Sequence, residues 1–165
     1  MDPVTVYLGL GSNLGRREDN LRRAIGLLRR WVRPQQSSPV YETAPWGFSQ
    51  QPDFLNCILE AQATLTPRQV LASVKALERG MGRQPVARYG PRLIDVDILF
   101  YGGETVDSPD LQIPHPRLQQ RAFVLVPLAD LAPHLTHPAL NLTVVQMADG
   151  VAGKEGVKLW GPPLI

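Results

Sequence analysis

The sequence predicts an α+β domain of the ferredoxin-like kind: a β-α-β-β-α-β order with an antiparallel sheet, helices on one face and additional short elements. Two observations carry this. Strand-like apolar segments recur at 4–10, 54–64 and 92–101, and helical periodicity occupies 17–32 and the segment that follows Thr66. The order of these segments is not the strict strand–helix alternation of a parallel sheet, which leaves helices packed against antiparallel strands.

The elements follow in turn. "VTVYLGL" (4–10) partly alternates and ends in glycines, as a strand does. Leu21, Ala24, Ile25, Leu28 and Trp31 or Val32 recur at helical spacing, with arginines on the opposite face. "SSPVYETAPWGFSQQP" gives a short strand and then a loop punctuated by Pro45, Gly47 and Pro52, and "FLNCILEAQAT" a longer strand. Thr66 is a good N-cap, Pro67 suits the first helical position and Gln69 completes a capping box. Val70, Leu71, Val74 and Leu77 make that helix's apolar face, and Gly80 or Gly82 can end it. After "RLIDVDILFY", Gly102-Gly103 predicts a hairpin into a short "ETV" partner. In "AFVLVPLADLA", Pro127 argues against a central strand and for a helix.

A chain of 165 residues reads as a single domain over 1–165. No apolar run approaches the ~20 residues needed to span a bilayer, and "MDPVTVYLGL" has no signal-peptide pattern, so no membrane is expected. One cysteine, Cys57, rules out an internal disulfide and a cysteine-based metal cluster, which suits the cytoplasm. A net charge of +2, with basic residues gathered in loops beside carboxylates, argues against nucleic acid as a partner. A monomer is expected.

"GLGSNLG" (9–15) invites a dinucleotide-binding reading, but the spacing is G-x-G-x-x-x-G and residues 21–40 contain no acid to hold a ribose. The simpler expectation is a strand-to-helix turn in which Ser12 and Asn13 cap the helix.

Asp95 and Asp97 are harder to dismiss. The two-residue period of a strand puts both on one face, with Cα atoms about 6.5–7 Å apart. Such carboxylates can converge on metal ions ~3.5–4 Å apart. Adjacent anions also require something cationic opposite them. A salt-bridged pair with Arg88 and Arg92 is the plain alternative. Yet Arg79, Arg83, Arg88 and Arg92 crowd the window 79–92, which Gly80, Gly82, Pro85, Gly90 and Pro91 mark as a loop. Arginines beside paired carboxylates suit a metal–polyphosphate complex, hence a nucleotide-dependent phosphoryl-transfer site. Thr43, Trp46, Phe48, Phe54 and Asn56 combine rings with polar groups, as a flat heteroaromatic ligand requires. "PHPRLQQRAF" adds His115, Arg117, Arg121 and Phe123. A kinase that transfers only the γ-phosphate, and a non-catalytic binding module, remain open at this point.

Together "GSN", "ETAPWGFSQQPDFLN", "RYGPRLIDVDILFYG" and "IPHPRLQQRAFVLVPLADLAP" resemble the 6-hydroxymethyl-7,8-dihydropterin pyrophosphokinases of the folate pathway, in order from about Val4 to Pro133. The resemblance implies transfer of pyrophosphate from ATP to the hydroxymethyl group of 6-hydroxymethyl-7,8-dihydropterin, releasing AMP, with two Mg²⁺ ions on Asp95 and Asp97. It implies that Thr43, Ala44, Trp46 and Asn56 bind the pterin edge while Phe54 and Phe123 sandwich the ring. Glu78, Arg88, Tyr89, Arg92, Ile98, His115 and Arg121 would serve ATP, and Arg83 and Arg92 would join the aspartates in catalysis. Three positions depart from the family pattern: Phe54 where tyrosine occurs, Tyr89 where tryptophan is usual, and Pro85 where a second loop arginine is found.

Overall fold

The computed structural model describes residues 1–45, 50–82 and 91–165. Strand β1 (Val4–Ser12) leads into helix α1 (Arg17–Leu28), then β2 (Arg33–Ser37), β3 (Val40–Thr43), β4 (Phe54–Ala63) and helix α2 (Pro67–Gly80). Strand β5 (Asp95–Tyr101), the pair β6 (Val106–Ser108) and β7 (Leu111–Ile113), helices α3 (Ala122–Leu131) and α4 (Val144–Gly150), and β8 (Lys158–Gly161) follow. The main sheet runs β5-β1-β4-β3-β8, all antiparallel, with β2 sharing β4's edge with β3. The core of that order, with β1 between β5 and β4, is the ferredoxin-like arrangement.

Alternation along β1 divides the core. Val6, Leu8 and Leu10 point to one side, where they pack with Leu21 and Ile25 of α1 and Val74 and Leu77 of α2. Tyr7 points to the other side and packs with Ile58, Phe100 and the apolar residues of α3 and α4. The expectation of helices on one face therefore holds for α1 and α2, while α3 and α4 cover part of the opposite face. Leu99 is an extra residue in β5: Tyr7 pairs with Phe100 and Leu8 with Ile98. This bulge lets Leu99 and Phe100 both face the α3 side, although they are neighbours in sequence.

Most elements lie where the sequence puts them. The Thr66 capping box is present, with Thr66 Oγ1 accepting from Gln69 N and Gln69 Oε1 from Thr66 N. Helix α3 forms across Pro127, which offers no N–H to the Phe123 carbonyl. Three expectations need correction, and one strand was not expected. Ser12 and Asn13 do not cap α1, because β1 continues through Ser12 and Arg16 takes the cap position without a side-chain bond. Helix α1 stops at Leu28, where Arg30 N and Trp31 N turn back to carbonyls three residues earlier. The "ETV" segment does not pair with β5: Val106–Ser108 pairs with Leu111–Ile113, whose apolar alternation buries Leu111 and Ile113 in the core. Strand β2 gave no sequence signal, since "RPQQS" is a polar, largely exposed strand with a proline.

Candidate active site

The α3 side of the sheet is covered at one end only. At the other end β1 presents glycines in place of side chains. Gly9 pairs with Asp97 and Ile58, and Gly11 with Asp95 and Asn56, so these residues share one face across three strands. A Cβ on Gly11 would sit 2.8 Å from Asn56 Oδ1 and 3.4 Å from the Phe54 ring. The two glycines thus form a floor between the aspartates and the Phe54–Asn56 end of β4. They line the cavity described next, a placement that the dinucleotide pattern obscured. The available signal was Gly-x-Gly on one strand matching Asp-x-Asp on its neighbour.

A first cavity stands on this floor. Thr43, Ala44, Phe54 and Asn56 line one side, Arg92, Asp95 and Asp97 another, and Arg121 and Phe123 lean in from the start of α3. Asn56 Nδ2 donates to Thr43 Oγ1 at 2.8 Å. That bond leaves the Asn56 oxygen as an acceptor and the Thr43 hydroxyl as a donor, an arrangement suited to the edge of a heterocycle. The Arg121 guanidinium carbon lies 5.5 Å from the centre of the Phe123 ring, and its Nη1 lies 3.5 Å from Asp97 Oδ2. Arg121 therefore joins the aromatic wall to the acidic one.

A second cavity lies between α2 and the β6–β7 hairpin. Leu71, Val74 and Lys75 supply one wall, Asp110 and Gln112 the other, and Ile98 and His115 also border it. Asp97 lines both cavities and forms the partition between them. His115 Nδ1 accepts from Arg117 N at 3.2 Å, so a neutral ring carries its proton on Nε2. Burial, then the charges of Arg121 and Arg117, push its pKa down to about 4 against the opposing pull of Asp95. The imidazole is neutral at pH 7.

Asn13, 1% exposed, ties the approaches to this site together. Its Nδ2 donates to Gln51 Oε1 at 2.8 Å and Pro52 O at 2.9 Å, while its Oδ1 accepts from Arg92 N at 2.7 Å. One side chain thereby fixes the segment before β4 and the segment before β5.

The structure places Thr43, Ala44, Phe54, Asn56 and Phe123 together as the sequence grouped them, with Asp95 and Asp97 beside them. Arg92 and Arg121, grouped with the nucleotide in the sequence, line the first cavity, while Ile98 and His115 line the second. Glu78 lines neither. It is 3% exposed, and its Oε2 accepts from Val96 N at 3.2 Å, bracing β5 between the two aspartates. Trp46, Arg83, Arg88 and Tyr89 lie outside the described residues, as does Pro85. Among the described residues no cluster of three or more His, Cys, Asp or Glu forms a metal cage. Two carboxylates nevertheless suit magnesium, which keeps several waters and completes its shell with substrate phosphates.

Known proteins resemble this chain over most of its length. The family model for 7,8-dihydro-6-hydroxymethylpterin-pyrophosphokinase matches residues 7–133. The chain is 42% identical over 135 residues to the 2-amino-4-hydroxy-6-hydroxymethyldihydropteridine pyrophosphokinase of Aquifex aeolicus, a match covering 82% of this chain and 84% of that one. The Bacillus subtilis protein of the same name is 37% identical over 156 residues, covering 93% and 89% respectively. A mitochondrial folate synthesis bifunctional protein of Arabidopsis thaliana is 46% identical over 127 residues, 76% of this chain but 23% of that longer protein. Among solved structures, a Plasmodium falciparum HPPK-DHPS chain superposes with a TM-score of 0.75 at 17% identity, covering 89% of this chain and 44% of that one. At that identity the likeness speaks for the fold alone. The extent of the family match, and the two relatives covered over most of their length, decide the matter: this chain belongs to the 7,8-dihydro-6-hydroxymethylpterin-pyrophosphokinase family.

Proposed function

We propose that the two cavities meeting at Asp97 perform the family's reaction, with the pterin in the first and ATP in the second. The reaction transfers pyrophosphate from ATP to the hydroxymethyl group of 6-hydroxymethyl-7,8-dihydropterin, in folate biosynthesis. The single observation that carries the assignment of sites is the shared partition, because it brings a hydroxyl group in one cavity up to a phosphate chain in the other.

The pterin ring stacks between Phe54 and Phe123, with its polar edge on Thr43, Ala44 and Asn56. Its hydroxymethyl group then reaches towards Asp95, Asp97 and Arg121. ATP lies along α2, with its phosphates at Asp97 and His115 and its base towards Leu71 and the hairpin. The hydroxyl oxygen attacks the β-phosphorus in line. The bond from that phosphorus to the α–β bridging oxygen breaks, AMP departs with the oxygen, and the hydroxyl proton is released. Asp95 and Asp97 would hold two Mg²⁺ ions, which would supply charge neutralisation at the phosphates when bound. The chain itself contributes position and fixed charge: Arg92 and Arg121 sit beside the reacting groups, and neutral His115 donates from Nε2. Arg83, Arg88 and Tyr89 are proposed to complete the nucleotide side.

The chain is proposed to act as a monomer built as one domain over 1–165. The buried thiol of Cys57 requires no oxidising compartment, which supports a cytoplasmic setting. Incubation with ATP, Mg²⁺ and 6-hydroxymethyl-7,8-dihydropterin should produce AMP and the pterin diphosphate in equal amounts. Release of ADP would identify a γ-phosphate kinase, and no turnover at saturating substrates would refute the assignment.

A further inference from the structure

The second cavity owes one wall to a hairpin of two three-residue strands. Such a pair is too short to hold its own position and depends on what anchors it. Leu111 and Ile113 anchor its inner side in the core. Its tip is held by Arg68 of α2, whose Nη1 donates to Asp110 Oδ1 at 3.1 Å and Oδ2 at 2.9 Å, while its Nη2 donates to Ser108 Oγ at 2.9 Å. The Ser108 hydroxyl, with one proton to donate, has Asp110 Oδ1 at 3.2 Å and Leu111 O at 3.1 Å as its two acceptors in reach.

Three further facts give this clamp a place in the site. Arg68 lies on the helical face of Leu71 and Lys75, at the i, i+3, i+7 spacing, and both of those residues line the cavity. Its partner Asp110 lines the cavity from the other wall. Glu78 meets β5 beside the aspartates, and Arg68 lies ten residues earlier on the helix, about 15 Å along the axis. The clamp therefore ties α2 to the hairpin beside the cavity, towards the end remote from Asp97. Helix stability does not explain the arginine, because a cation in the first turn opposes the helix dipole. Each partner favours the other's charged form.

We propose that Arg68 is a positioning residue for the nucleotide: through its fork onto Asp110 and Ser108 it sets the gap between α2 and the β6–β7 hairpin, and so the fit of the part of ATP farthest from the transferred phosphates. The proposal rests on ATP occupying the second cavity. Arg68 touches no reacting atom, so it governs nucleotide affinity and leaves the chemical step and the pterin site alone.

The test compares the wild type, Arg68→Ala and the swapped double variant Arg68→Asp/Asp110→Arg. It measures kcat, both KM values, thermal midpoint, and calorimetric binding of a non-hydrolysable ATP analogue with Mg²⁺. Arg68→Ala should raise the KM for ATP and the analogue Kd roughly three- to fivefold, the scale of an exposed ion pair. The pterin KM, kcat and thermal midpoint should stay near wild-type values, and the swap should restore most of the lost affinity. Unchanged nucleotide affinity in Arg68→Ala overturns the proposal. So does a joint rise in both KM values with a lowered midpoint, which would make the clamp a general structural tie, and so does a swap that restores nothing. A wild-type protein that binds no Mg²⁺–nucleotide at all refutes instead the assignment of the cavity.

Discussion

The two cavities that share Asp97 are built by different means. The first stands on regular sheet: three paired strands set Gly9, Gly11, Asn56, Asp95 and Asp97 on one face by the two-residue period alone. The second is a gap between a helix and a small hairpin, and its width depends on side-chain ties. A site made from strand periodicity has rigid spacing because the ladder of backbone bonds fixes every neighbour. One made from packed excursions can be adjusted by single residues at its edge. The difference suits the division of labour proposed here, with the reacting groups on the rigid part and the remote end of the nucleotide on the adjustable part.

The largest effect should follow from striking the partition itself. Asp97→Ala removes the carboxylate common to both cavities and the partner of Arg121. Turnover should fall at least about a hundredfold, in line with losing a charge-stabilising group at a reacting centre. Asp97 is near the open end of the sheet face, so the fold should survive, as far-ultraviolet circular dichroism would check. Near-normal turnover would remove the aspartate from the chemistry.

Gly11→Ala separates the cavities. Its Cβ would fall 2.8 Å from Asn56 Oδ1, so Asn56 must move and loosen its bond to Thr43. The pterin KM should rise on the order of tenfold, about the worth of one hydrogen bond, with analogue binding in the second cavity unchanged. Gly9→Ala is the contrast, because its Cβ would meet Leu99 at an ordinary 3.5 Å. Equal effects at the two positions would show that cavity volume, and not the Asn56 contact, sets pterin affinity.

The same difference in construction explains what the sequence disclosed. Asp95 and Asp97 were legible because strand periodicity converts spacing into a shared face without further information. Thr66, Pro67 and Gln69 were legible because capping chemistry is local. The glycine floor was hidden by a loop motif it happens to imitate, although its two-residue spacing matches that of the aspartates. The tertiary roles of Asn13 and Arg68 were not legible: their partners lie 38, 39, 79 and 42 residues away, and only the folded chain brings them together. Glu78 was grouped with the nucleotide; its Oε2 accepts from Val96 N, a tertiary contact that no local pattern announces.

Asn13→Ala tests whether the two approaches to the site are coupled. The substitution deprives Arg92 N of its acceptor and Pro52 O of a donor at part-buried bonds. A loss on the order of 1 kcal/mol in stability is expected, measured by urea denaturation, because the hydrogen bonds of the buried Asn13 side chain are lost. Activity should fall through both substrates together, unlike Gly11→Ala. An effect confined to one KM would mean that the segments before β4 and β5 are held independently.

Acid sensitivity bears on the second cavity alone. His115 has a pKa of about 4 in the folded chain and about 6.5 when unfolded. Above pH 6.5 both states are neutral there, and His115 adds no pH dependence. Between 6.5 and 4 the unfolded chain takes up the proton and the folded chain does not, so stability falls as pH falls; below about 4 both are protonated and the loss is complete. Allowing for the ring's partial exposure, the loss is on the order of 2 kcal/mol. His115→Asn keeps an acceptor for Arg117 N and removes the titration, so its stability curve should be flatter over that window. It should not be flat, because burial also lowers the pKa of His137, whose Nδ1 accepts from Ala139 N and Leu140 N. A variant whose curve parallels the wild type throughout would place the acid sensitivity at His137 or the carboxylates, and would leave the neutral imidazole at the second cavity without support.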